Sequence, residues 1–316
     1  MNSNFLLRSL GSSLLFFCLA SQASAKIRVV TTIPEIAYAA REIGGELIDA
    51  RALLKGTENP HHLDAVPEFV RLVADADVVC LVGLGLEVGY MPPVFARSGN
   101  AKVQPGGPGY CEVGRAITPL EKPSGSVDRS LGDVHPEGNP HFWLSPRTLA
   151  ESAKEIALAF SRVDPAHEAA YKKGLLEFET KMQGVSAKVE SLLKPALAKA
   201  SPDNKPVVLE YHKEFTYFFA AYGLKSFGSI EEKPGVPPSA GRIAEIAQLS
   251  KGAKLRAALC TDYNPESVLR KFEELAHIPT LKLQTMIRPN RGIGEYEELQ
   301  LTIAKAIVKA LSEDPK

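Results

Sequence analysis

The feature that most restricts the fold of this chain is an apolar stripe running through Tyr171, Leu175, Phe178, Met182, Val185, Val189 and Leu192. Its steps alternate between four and three residues, the repeat of a single helix face. Asp164-Pro165 supplies a start signal, an N-cap residue before a proline suited to the first helical position, and Pro195 places the end near Lys194. At 1.5 Å per residue, roughly thirty residues reach about 45 Å. That exceeds the width of one small domain, so the stripe predicts a rigid connector packed along two lobes.

The chain on either side alternates short apolar runs with helical patterns. Before the connector, strands are predicted at Ile27 to Thr32, Asp49 to Leu54, Val78 to Val82 and briefly near Lys102. Helices are predicted at Ile36 to Ile43 and Pro67 to Ala74, and Thr148 to Phe160 leads into the connector. After it, strands Val207 to Glu210, Lys225 to Ile230, Ala257 to Thr261 and Thr280 to Leu283 alternate with helices Glu214 to Tyr222, Ala240 to Leu249, Pro265 to Ala276 and Tyr296 to Leu311. Two βα series imply two parallel sheets with helices on their faces. The expected class is therefore α/β, with an N-terminal lobe over residues 26–163, a connecting backbone helix over 164–198 and a C-terminal lobe over 199–316. A length of 316 residues suffices for two cores. The stretch from Gly106 to Gly138, rich in Pro, Gly and Ser, has no periodicity and reads as a surface excursion.

At the N-terminus, Arg8, an apolar run from Leu10 to Ala20 and Ala23-Ser24-Ala25 fit a secretory signal over residues 1–25, cleaved before Lys26. The run is too short for a spanning helix, and no later segment approaches ~18 apolar residues. A periplasmic location follows. The bulky Phe17 before Cys18 argues against a lipid anchor. Export leaves Cys80, Cys111 and Cys260 in an oxidising compartment, an odd number that allows at most one internal disulfide of undetermined pairing. No pair has zinc-site spacing. The 37 basic residues balance 37 acidic ones, which leaves no electrostatic reason to expect nucleic acid or an anionic membrane as partner.

Chemistry concentrates in a repeated tripeptide, Asn59-Pro60-His61 and Asn139-Pro140-His141. In each, proline fixes its own φ and pushes the preceding Asn out of the α region, so the imidazole leaves a stiffened turn in a defined direction. His212 follows the strand ending at Glu210, and His61 follows the strand ending near Leu54. Ligands of parallel α/β sheets bind beyond such carboxyl ends. Three neutral imidazoles suit zinc and other late divalent metals, and a fourth, carboxylate ligand would close a tetrahedron with no open position. Solvent exposure is expected for His62, which shares a stiff turn with His61. His135 lies six residues before His141 on a loop able to fold over the site or to face solvent, and His167 and His277 read as surface residues.

These segments carry a resemblance. KGTENPHHLDAVPEF, NPHFWLSP and EYHKEFTYFFAAYGL resemble, in order, the Asp-Pro-His-x-Tyr-Glu-Pro, Asp-Pro-His-x-Trp-Leu-Asp-Pro and His-x-x-Phe-x-Tyr-Phe-x-x-x-Tyr-Gly-Leu segments of the periplasmic metal-binding proteins that serve zinc and manganese ABC importers. The resemblance covers nearly all of the mature chain. It implies a metal in the cleft between two lobes, His61, His141 and His212 as ligands, and delivery of the metal to an ABC membrane permease by a monomeric, non-enzymatic protein. Manganese-specific relatives have Glu at the third position, so His212 tilts the cargo towards zinc.

The chain departs from the pattern where relatives place an Asp ligand, since Leu283-Gln284-Thr285-Met286-Ile287 has no carboxylate. Asp262, at the carboxyl end of a strand, is the first substitute, Glu231 the second and water the third. Two other classes stay open: an exported zinc hydrolase with Glu210 as general base, and a manganese-binding or adhesin variant of the same scaffold. The chain has no His-Glu-x-x-His helix, Gly-x-Ser-x-Gly elbow or phosphate loop.

Overall fold

The computed structural model describes residues 25–125, 132, 134–198 and 205–312; the expected signal segment lies outside the described residues. Among the described residues there are two four-stranded sheets, every pairing parallel. The first contains β1 (Ile27–Thr31), β2 (Ile48–Ala52), β3 (Val78–Leu81) and β4 (Tyr110–Glu112), and the second β5 (Val207–Glu210), β6 (Lys225–Ser229), β7 (Ala258–Thr261) and β8 (Thr280–Leu283). The strand orders are β2-β1-β3-β4 and β6-β5-β7-β8. The second sheet therefore repeats the topology of the first, and in each the order reverses beside the leading strand, where a crevice opens beyond the strand ends.

Helices α1 (Pro34–Gly44), α2 (Pro67–Ala74), α3 (Met91–Ser98) and α4 (Pro146–Val163) accompany the first sheet, while α6 (Thr216–Tyr222), α7 (Ala240–Gly252), α8 (Glu266–Ala276) and α9 (Tyr296–Ser312) accompany the second. Between them runs α5 (Glu168–Leu197), 30 residues with Pro195 tolerated in its last turn. It packs on α1 and α4 on one side and on α9 on the other. Tyr171, Phe178, Met182, Val185 and Val189 of the stripe are buried, whereas Leu175 and Leu192 lie at its margins. Gly174 permits the closest approach, because a Cβ there would meet the Ile43 carbonyl oxygen at 2.2 Å. Tyr38 of α1 faces Phe178 of α5 edge-on at 6.0 Å and stacks on Tyr296 of α9 at 5.8 Å. One apolar core thus extends from the first lobe across α5 to α9, and a smaller cluster fills the outer side of the second sheet.

Two expectations change. The strand near Lys102 is a 3-10 turn, and the fourth strand falls at Tyr110–Glu112, inside the stretch read as a surface excursion. Three residues are too few to display a period. Helix α3 has no counterpart among the expected elements; its Pro92-Pro93 occupy the first turn, where the missing N–H costs nothing. Cys80 and Cys111 are register partners on β3 and β4, while Cys260 lies in the other sheet. All three are buried and unbridged.

Candidate metal centre

The two Asn-Pro-His turns are built alike. Asn59 Oδ1 accepts from the His61 amide at 3.0 Å, and Asn139 Oδ1 accepts from the His141 amide at 2.9 Å. These Asx turns add to the proline restraint and aim both imidazoles at one point. Their Nε2 atoms lie 2.9 Å apart. Asn139 does more: its Nδ2 donates to the Lys213 carbonyl at 2.7 Å, a pure acceptor, which fixes the amide's orientation. Oδ1 must then accept from His141 Nδ1 at 2.9 Å, which leaves His141 Nε2 bare.

His212 leaves the second sheet just past β5. Its Nδ1 lies 2.9 Å from Glu231 Oε2 at the end of β6, and Gly235 N–H also donates to that oxygen at 3.2 Å. A carboxylate on Nδ1 orients the ring and directs Nε2 into the cleft, the arrangement metal-ligating histidines use. Ring centroids of the three residues are 5.0, 5.2 and 5.1 Å apart, and one nitrogen from each lies within 4.8 Å of the others. Tetrahedral zinc with Zn–N bonds of ~2.0–2.1 Å would hold ligand nitrogens about 3.3 Å apart, so His61 and His141 need part only slightly to admit an ion.

Burial holds His61 and His141 well below the usual histidine range, and neighbouring imidazoles add to the effect. Both are neutral at ordinary pH, as ligation requires. Burial also lowers His212, but the Glu231 hydrogen bond and the charges of Glu214, Glu231 and Glu210 outweigh it, and its pKa is raised. His212 is thus the proton acceptor of the group.

The other expected residues fall as follows. Asp262 does not join the imidazoles: Arg288 donates from both terminal nitrogens to its two oxygens. The guanidinium is largely buried and also donates to the Gly56 carbonyl at 2.7 Å, so it requires a counter-ion and takes Asp262. Glu231, the second choice, stands behind His212. Glu210 is fully buried, accepting from Ser226 Oγ at 2.5 Å and from the Phe215 amide at 3.1 Å, with burial pushing its pKa up to about 8. Its two oxygens are thus both engaged away from the cleft lining, which does not suit the general base of a hydrolase. His62 is set 6.3 Å from His61 by ring centroid, and His135 is 5.1 Å from it. His167 is bound to Asp164 and His277 caps α8 in a left-handed conformation.

Sequence reading missed Glu214. Its Oε1 accepts from Tyr263 at 2.7 Å, and its buried Oε2 has no hydrogen-bond partner among the described residues. It lines a small recess with His61, His212 and Glu231, and burial pushes its pKa up to about 7. The signal was a carboxylate two residues beyond a ligand candidate. Contacts between the lobes also escaped it: Trp143 Nε1 donates to the Thr285 carbonyl at 3.0 Å, Tyr296 donates to the Trp143 carbonyl at 2.6 Å, and the Ile287 amide donates to Glu35 Oε1 at 2.5 Å.

The model of the family described as zinc-uptake complex component A, periplasmic, matches residues 29–310. The iron ABC transporter substrate-binding lipoprotein MtsA of Streptococcus pyogenes serotype M1 is 27% identical over 253 residues, spanning 78% of this chain and 77% of its own length. The zinc-binding lipoprotein AdcA of Streptococcus pneumoniae serotype 4 is 24% identical over 322 residues, 98% of this chain and 60% of AdcA. The crystal structure of ZnuA shares the fold with a TM-score of 0.74 at 21% identity, covering 91% of this chain and 100% of that one. No described helix is long and apolar enough to cross a membrane.

Proposed function

The chain belongs to the zinc-uptake complex component A family of metal ABC transporter substrate-binding proteins, and on that premise we propose that it captures zinc on His61, His141 and His212 and delivers it to an import permease. It is a binding component, not an enzyme. The observation that carries the reading is the convergence of three imidazole nitrogens within 4.8 Å, two of them oriented from behind by Asn139 and Glu231.

Zinc is favoured over manganese by the donor set. Neutral imidazoles suit late divalent metals, whereas Mn²⁺ lies lowest in the Irving–Williams order and prefers oxygen. Relatives named for iron and for zinc share the scaffold, so the ligands here, rather than kinship, support the choice. Two ligands come from the lobe formed by residues 26–163 and one from the lobe formed by 199–316, with 164–198 as the connector. The site works in the periplasm, and capture needs no wide closure, because α5 and the Trp143, Glu35 and Arg288 contacts already hold the lobes together. Release then requires local movement at the cleft.

Titration of tag-free protein with zinc and with manganese tests the proposal. His61→Ala, His141→Ala and His212→Ala are each expected to weaken zinc binding by ~10²-fold or more, since outer-shell changes alone cost ~10–100-fold. Zinc affinity unchanged in all three would dismiss the site, and tighter binding of manganese than of zinc would dismiss the cargo.

A further inference from the structure

Three imidazoles leave one vertex of a tetrahedral ion open, and the sequence supplies no carboxylate in the usual place. Two groups adjoin the cluster without an assigned role. Glu214 lies in the recess with Glu231 and His212, one oxygen already held by Tyr263. His135 instead lines the cleft onto which His141 and His212 open, a cavity of about 250 Å³. Its ring centroid is 5.1 Å from that of His61, the same spacing that separates the three converging rings from one another.

The surroundings of His135 favour a fixed direction of approach. Its Nδ1 edge faces Gly85, at 3.4 Å from where a Cβ would stand, and Gly85 adopts a left-handed φ of +80° that suits glycine. Its Nε2 is buried. The segment that carries it is tied down on the C-terminal side: the His135 carbonyl accepts from Gly138 N–H at 3.1 Å, and the Asn139 amide donates to the Leu120 carbonyl at 2.8 Å. His135 therefore lies six residues from His141 on a braced turn.

Resting on the capture site described above, we infer that His135 is the fourth ligand, joining His61, His141 and His212 in a site made of imidazole nitrogen alone. Its ring lies 5.1 Å from that of His61 but is not part of the group within 4.8 Å, so a shift of the 134–138 turn towards His61 brings it onto the ion. Glu214 and Glu231 then act as counter-charges to a dication held by neutral donors. Such a site discriminates against Mn²⁺ more sharply than one with a carboxylate ligand.

X-ray absorption of the zinc-loaded protein, with Co²⁺ absorption as a second probe, tests this. Four imidazoles are expected in the wild type and three in His135→Ala and in His135→Gln, which retains polar bulk on the turn. Both variants should lose at least about tenfold in zinc affinity, show altered Co²⁺ bands and discriminate less between zinc and manganese. An unchanged imidazole count and Co²⁺ spectrum in both, while His61→Ala abolishes binding, would overturn the role of His135 and leave the three-histidine site standing. A change of Co²⁺ spectrum in Glu214→Gln but not in the His135 variants would likewise assign the vertex to Glu214. Zinc binding that survives His61→Ala, His141→Ala and His212→Ala would instead sink the capture site itself.

Discussion

Glu35 offers a sharp test of how the lobes are held. It stands at the start of α1, fully buried, with Oε1 accepting the Ile287 amide of the other lobe and Oε2 without a hydrogen-bond partner among the described residues. Burial pushes its pKa from 4.5 up to about 8, against the opposing pull of the Ile287 amide and the Arg288 charge. The folded protein therefore binds this proton more tightly than the unfolded chain. Stability from the group is fully present below pH 4.5 and is lost as pH rises through about 8. At about 1.4 kcal/mol per pH unit, the loss reaches roughly 4–5 kcal/mol by pH 8. Glu35→Gln mimics the protonated acid, keeping the acceptor for Ile287 and removing the titration. Urea unfolding of chelator-treated protein at pH 5, 6.5 and 8 measures the difference. The variant is expected to match wild type within ~1 kcal/mol at pH 5 and to exceed it by several kcal/mol at pH 8. Parallel stability curves across that range would refute the burial argument.

Glu231→Ala is expected to lower zinc affinity by about 10–100-fold by freeing the His212 ring, whereas Asp262→Ala should cost ~2–3 kcal/mol of stability by stranding Arg288 and change zinc affinity little; the opposite ranking in isothermal titration would return Asp262 to the ligand set. Because His61 and His141 are neutral while His212 has a raised pKa, one proton should compete with zinc. Affinity should then fall about tenfold per pH unit below the His212 titration, and a two-proton dependence near neutrality would contradict the assignment. Phe178→Ala removes a buried side chain of the connecting helix that packs edge-on against Tyr38 and is expected to cost about 3–5 kcal/mol in denaturant unfolding, with a single transition retained; a separate early transition of one lobe would show that the core is not shared.

Much of this architecture was written in local patterns. The stripe from Tyr171 to Leu192 announced α5, and the Asn-Pro-His repeat located two of the three converging histidines because proline and Asx geometry act within a few residues. What escaped depends on distance. Asp262 looked available because nothing near it in sequence reveals Arg288, 26 residues on, as a buried cation in need of a partner. Glu231 was weighed as a ligand, yet only the pairing of β5 with β6 shows that it stands beside the far edge of the His212 ring. Glu210 passed for a candidate base because period-two alternation cannot tell a cleft from the interior of a lobe.

The bond between Glu35 and the Ile287 amide joins residues 252 apart, and Tyr38 of the first helix stacks on Tyr296 of the last. The first lobe therefore cannot complete its packing until α9 and the segment before it are in place. Contacts of such long range slow folding, since the loop must close before they contribute. The closing of the core thus waits on α9, whose Tyr296 must reach Tyr38 before the first lobe is sealed.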